Sequence, residues 1–174
     1  MLGMDRATVE AAVEKYGKRV GEVIGVSKKF VIDQRTNDIF GTLIENLDPM
    51  HNDVAWSKAS PIGSTIVYGY LQVSMLSMVW KDIGMPIYSS DVAYTLNYGL
   101  NKVRFPSYMR VGVPVQGKVK MLGVERKSKD QILWRFEAWF EQDGNPKPTM
   151  VAEPIYTILF YNEQNRAPSL AAAN

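Results

Sequence analysis

The chain has 174 residues, no cysteine, one histidine and a formal net charge of +2. That length supports one well-cored domain. The lack of cysteine excludes disulfides, thiolate metal sites and a cysteine nucleophile, and the scattered Lys and Arg exclude the massed basic segment of a nucleic-acid binder.

In chain order, MDRATVEAAVEKYG spaces Val9, Val13 and Tyr16 as the apolar face of a short amphipathic helix closed by Gly17. The N-terminal run carries charges throughout and no h-region, so no secretory leader is expected. GVSKKFVIDQ has strand composition, with Val26, Phe30, Val31 and Ile32. Asp33 can cap a helix over 34–44, and Asp53 the short helix VAWSKAS, because a carboxylate accepts the free amide hydrogens of a first turn. The loop ENLDPMHND lies between them. Thr65 opens the apolar run IVYGYLQVSMLSMVWKDIG, read as one long buried helix ending at Gly84 and Pro86. The uncharged stretch 59–80 is too polar at its start to be a membrane span of about 20 apolar residues.

Beyond Pro86 the period changes from helical to strand-like. VAYTLNYG and NKVRFPSY are two strand candidates, and VPVQGKVKMLGVERK alternates before turning at SKD. QILWRFEAWFEQ alternates strictly, with Ile132, Trp134, Phe136, Ala138 and Phe140 on one face and Leu133, Arg135, Glu137, Trp139 and Glu141 on the other. DGNPKP is a turn, and TMVAEPIYTILFYN the last strand. Helices followed by a run of antiparallel strands make an α+β fold. The second face of the alternating strand needs cover, from a second copy or from the N-terminal helices.

Few residues can carry chemistry. His51, in NLDPMHND, can exchange a proton with water near neutral pH, although a lone histidine in a turn is most often structural. Gly69 stands in the first turn of the long helix, where a backbone N–H lacks an intrahelical partner and can polarise a carbonyl oxygen; close packing of another backbone explains it equally well. Asp48, Asp53 and Glu45 are candidate bases, each with a plainer reading: Asx turn, helix cap and solvated helix end. Lys102, Arg104, Lys118 and Lys120 read as solvent-facing strand residues before they read as phosphate ligands. GVPVQG lacks the setting and the lysine of a P-loop. One histidine and no cysteine make a transition-metal site improbable.

VSKKFVIDQRTNDIFGTLIENLDPMHNDVAWSKASPIGSTIVYGYLQVSML resembles the N-terminal signature of the MaoC-like dehydratases, which include the (R)-specific enoyl-CoA hydratases. LNYGLNKVRFPSYMRVG and KPTMVAE resemble the NodN-like subgroup of that family, and the likeness spans about residues 26–161. The resemblance implies a single hotdog domain over 23–162: an antiparallel sheet wrapped round one long central helix that begins near Ile66. An extra N-terminal helical extension covers 1–22 and a flexible tail 163–174. It also implies a homodimer with sites at or near the subunit interface; composition adds the expectation of a cytoplasmic chain with no cofactor or metal and with neither membrane nor nucleic acid as partner.

Active members of the family hold a water between an aspartate and the histidine five positions later, and add it to a trans-2-enoyl thioester carried by CoA or a carrier protein. A glycine N–H at the start of the central helix binds the thioester oxygen. By position the histidine is His51 and the glycine Gly69, with Ser64, Tyr68 and Ser74 on the substrate side. Two positions depart from the pattern. The aspartate position is Asn46, and the histidine before the helix glycine is Tyr68. An amide orients a water but is no general base, so Asp48 is the alternative acid. The readings left open are a hydratase or dehydratase, a degenerate site that binds a thioester or apolar ligand without hydrating it, and other lyase or cyclase chemistry on a conjugated carbonyl.

Overall fold

The structure, a computed structural model, describes residues 6–84 and 92–161. The expected helix end at Pro86 and the tail 163–174 lie outside them. Helix α1 (Arg6–Gly17) is followed by strand β1 (Val23–Val26), α2 (Gln34–Leu43), the one-turn α3 (Pro49–Asn52), α4 (Val54–Ala59), α5 (Gly69–Ser74) and α6 (Leu76–Asp82). Four long strands complete the fold: β2 (Val92–Arg104), β3 (Val115–Arg126), β4 (Gln131–Gln142) and β5 (Met150–Phe160). The sheet has the order β1-β3-β4-β5-β2, and every pairing is antiparallel.

Strand β4 sits at the centre of this order and follows its sequence pattern. Ile132, Trp134, Phe136, Ala138 and Phe140 are at most 1% exposed. They form one core with Leu71, Leu76, Val79 and Trp80 of α5 and α6, and with Val9 and Ala12 of α1. Burying large side chains of this kind contributes about 1.5–3 kcal/mol each. The result is the sheet folded round a helical segment that the resemblance implies. Helix α1 packs on this same inner face, where the Tyr16 ring lies 4.5 Å from that of Trp134. The other face therefore gains no cover from α1. It carries polar pairs: Lys118 pairs with Glu141 at 2.7 Å, and the Trp139 indole donates to Glu141 at 2.8 Å.

Three local expectations change. The apolar run from Thr65 is not one helix. Residues 65–67 are extended, tied to 109–111 by Val67 N–H to Met109 C=O (2.8 Å) and Val111 N–H to Thr65 C=O (3.1 Å). Three β-branched residues in a row favour this conformation. The helix starts at Gly69 and is interrupted at Met75, just after Ser74 turns its hydroxyl back onto the Tyr70 carbonyl at 3.0 Å, a bond that bends helices. The two strand candidates after Pro86 are the single strand β2, with register shifts between Asn97 and Gly99 and between Leu100 and Val103; the expected break is absorbed as irregularity within one strand. The first strand lies earlier than expected, at Val23–Val26, while Phe30 keeps only an isolated bridge to Val115. None of the helices described is long and apolar enough to cross a membrane.

Candidate active site

Two capping aspartates set the local frame. The Asp33 carboxylate accepts from Thr36 N–H at 2.8 Å and starts α2; that of Asp53 accepts from Trp56 N–H at 2.9 Å and starts α4. Asp48 is a third cap. Its carboxylate accepts from Met50 N–H at 3.1 Å with Pro49 in the first turn, so the expected loop contains the one-turn helix α3, with His51 within it. The Asn46 side-chain oxygen accepts from Asp48 N–H at 3.2 Å. Both side chains thus bond to the backbone of their own turn, and neither bonds to His51 among the described residues.

His51 is held through its other neighbours. Nδ1 lies 2.8 Å from the Ile66 carbonyl oxygen. A carbonyl only accepts, so Nδ1 carries a proton; in the neutral form of the ring the lone pair is on Nε2, which has no partner among the described residues. The Tyr68 ring stacks on the imidazole, with centroids 3.8 Å apart. The single Tyr68 phenol proton is directed at two acceptors, the Asn46 carbonyl and Asn52 Oδ1. Burial, then the charges of Asp48 and Asp38, push the Tyr68 phenol above the ordinary tyrosine range, while the bond to Asn52 opposes them. Tyr68 therefore stays neutral, and its hydroxyl braces the turn.

This seat depends on Gly41, on the facing side of α2. A Cβ there would run into the Tyr68 hydroxyl and lie 2.9 Å from the Asn46 carbonyl oxygen. Gly41→Ala is expected to cost about 1–3 kcal/mol by overpacking, measured by denaturant unfolding. Adding Tyr68→Phe should return part of that loss, because one of the two obstructions is then gone.

Sequence reading missed the polar face of α2. Gln34, Asn37 and Asp38 point at the turn. Gln34 Nε2 donates to Asp38 Oδ1 (2.7 Å) and to the His51 carbonyl (2.8 Å), Thr65 Oγ1 donates to Gln34 Oε1 (2.6 Å), and Asn52 Nδ2 donates to Asp38 Oδ1 (2.8 Å). Spacings of three and four residues put these groups on one helical face.

Gly69 follows Tyr68 as the first residue of α5. Its N–H has no acceptor among the described residues. The Phe105 ring packs against it, 2.9 Å from where a Cβ would stand. The Ser64 hydroxyl is buried and without a partner among the described residues. Ser74 is placed elsewhere, in a cleft of about 400 Å³ that also takes in Ser77, Asn97, Tyr98, Leu100 and Ile155. Tyr94, Tyr98 and Tyr70 are exposed. Lys102 and Lys118 pair with Glu153 and Glu141, as solvent-facing strand residues do.

A family model described as "MaoC like domain" matches residues 15–134. The chain belongs to the MaoC-like family. The 3-hydroxyacyl-thioester dehydratase Z of Mycobacterium tuberculosis is 31% identical over 144 residues, covering 83% of this chain and 93% of that protein. Nodulation protein N of Rhizobium leguminosarum bv. viciae is 28% identical over 152 residues, covering 87% and 93%. The (R)-hydratase of A. caviae involved in PHA biosynthesis superposes with a TM-score of 0.62 at 18% identity, over 78% of this chain and 95% of that one, so the two share the hotdog fold.

Proposed function

We propose that this MaoC-like protein is a hydratase/dehydratase of acyl thioesters, adding water to a trans-2-enoyl thioester or removing it from the 3-hydroxyacyl thioester. The observation that carries the reading is His51: its Nδ1–H is anchored to Ile66, its ring stacks on the residue that precedes Gly69, and neither its Nε2 nor the Gly69 N–H has a partner among the described residues. A dehydratase with a thioester substrate among the relatives supports it. In the hydration direction, Nε2 takes a proton from water as the oxygen bonds to C3. The electron pair displaced from the double bond reaches the thioester oxygen, where the Gly69 N–H stabilises the charge. Nε2–H then returns the proton to C2.

The exposed Asn46 amide orients the water, while Asp48 shapes the turn and is not the base. The buried Ser64 hydroxyl and Ser74, in its separate cleft, take no part in this step. The reading includes a second copy of the chain at β2, an edge strand with Tyr94, Leu96, Tyr98 and Leu100 exposed, since an edge strand offers unpaired N–H and C=O groups.

A degenerate site that binds the thioester without hydrating it is the second reading. It is favoured by the absence, among the described residues, of a carboxylate hydrogen-bonded to His51. Hydration of short and medium trans-2-enoyl-CoA thioesters by the purified protein separates the two. If the parent is active, Asp48→Asn should keep the cap and stay within about threefold of parental kcat, whereas Asp48→Ala should lose about 0.5–2 kcal/mol of stability with the cap. Collapse of turnover in Asp48→Asn at unchanged stability would make Asp48 the base. An inert parent made active by Asn46→Asp would establish the degenerate reading.

A further inference from the structure

Asn37, on α2, is fully buried at 0% exposure and has no place in the chemistry above. All of its hydrogen-bonding hydrogens are used. Nδ2 donates to the His51 carbonyl at 2.9 Å and to the Ile66 carbonyl at 3.1 Å, and Oδ1 accepts from Tyr68 N–H at 3.3 Å. The three partners lie on two separate stretches of backbone: the turn that presents His51 and the extended run that delivers Gly69 to the start of α5. One amide thus spans the gap between the proposed acid/base and the proposed oxyanion donor. It also bonds to the same Ile66 carbonyl that receives the His51 Nδ1–H. A carbonyl oxygen has two lone pairs, so Asn37 and His51 can share it, and Asn37 helps to fix the direction in which that oxygen meets the imidazole.

We propose that Asn37 is a positioning residue that sets the spacing between His51 Nε2 and Gly69 N–H and holds His51 in its Nδ1–H tautomer. The kinetic half of this inference rests on the hydration reading; the tautomer half does not. The extended run keeps its own backbone bonds to Met109 without Asn37, and the His51 carbonyl keeps Gln34. The two stretches stay joined by the Ile66 N–H to the Met50 carbonyl (3.1 Å), by the His51 Nδ1–H to the Ile66 carbonyl and by the Tyr68 hydroxyl, so loss of Asn37 does not part them but removes the buried amide that bonds to both, and their spacing shifts. A displacement of about 1 Å between reacting groups is enough to cost on the order of 10²-fold in rate.

The test uses the fact that the chain has one histidine, so ¹⁵N-histidine labelling gives a single imidazole spin system. Two variants of the full chain are compared with the parent. Asn37→Asp keeps the acceptor for Tyr68 N–H and, when ionised, loses both donors; Asn37→Leu loses all three bonds at similar volume. At a pH where the ring is neutral, the parent should show the Nδ1–H form and both variants a growing Nε2–H fraction. With a trans-2-enoyl-CoA substrate, kcat should fall about 10–100-fold while KM stays within about threefold. Folded variants with an unchanged imidazole spectrum and kcat within threefold of the parent would reduce Asn37 to a buried filler and overturn the proposal. A parent without hydratase activity would defeat the functional reading, and the spectrum alone would then decide the role of Asn37. If neither variant folds, the parent decides: slow solvent exchange of the Asn37 side-chain amide together with the Nδ1–H form upholds the proposal, and fast exchange or the Nε2–H form overturns it.

Discussion

Replacing His51 with asparagine is expected to lower kcat for hydration of a trans-2-enoyl-CoA by about 10²–10⁴-fold, the range supplied by a positioned general acid/base, with little change in stability. Asparagine is the informative replacement. Its Nδ2 can stand near the position of the imidazole Nδ1 and donate to the same Ile66 carbonyl, which His51 meets at 2.8 Å. The turn keeps its other ties, since the His51 backbone carbonyl is bound by Gln34 and Asn37 whatever the side chain. The stacking surface for Tyr68 is lost and the acid/base is lost, but the buried carbonyl is not orphaned. A fall in kcat with an unchanged melting temperature then reports chemistry and not collapse. Activity equal to that of the parent would remove His51 from the mechanism. Alanine would be ambiguous, because it removes the Ile66 hydrogen bond together with the base.

The parts of the fold that sequence predicts best are those where one physical signal acts alone. Strict alternation in β4 assigns its five core residues correctly because that strand lies mid-sheet with one face turned to the helices. The starts of α2 and α4 follow from Asp33 and Asp53, whose capping bonds depend only on local geometry. The same local logic identifies Asp48 as a turn-forming residue. Helix α2 defeats the hydropathy signal. Ile39 and Leu43 are 59% and 76% exposed, while Asn37 on the opposite side is fully buried. That face is polar because it satisfies the carbonyls of a turn and of an extended run, partners that no periodicity reveals. The spacing of Gln34, Asn37, Asp38 and Gly41 was the available clue. The role of Tyr68 was hidden for a related reason: its hydroxyl reaches the turn only because Gly41, on a different element, leaves room. The central helix starts later than its apolar spacing predicts because backbone pairing with 109–111 outweighs that spacing.

The second large effect concerns the Gly69 N–H, and a pair of substitutions isolates it. Gly69 is the first residue of α5, a position where proline is tolerated because its missing N–H has no intrahelical partner. The preceding residue, Tyr68, has φ −55° and ψ 135°, the extended conformation that a following proline requires. Gly69→Pro therefore fits the backbone and deletes the one donor assigned to the thioester oxygen. It also adds a Cβ, which would lie 2.9 Å from the Phe105 ring. Gly69→Ala adds that same Cβ and keeps the N–H, so it measures the steric part alone. Phe105 is 45% exposed and can yield by moving outward. The alanine variant should consequently be the milder of the two, and the proline variant should be slower still by about 10²–10³-fold in kcat, the usual effect of removing one oxyanion donor. The comparison is made between the two variants, which cancels the shared contact with Phe105. Equal rates for alanine and proline, both folded and both bound by substrate, would mean that the developing charge is stabilised elsewhere, and the free N–H at the head of α5 would then be no more than an ordinary helix end.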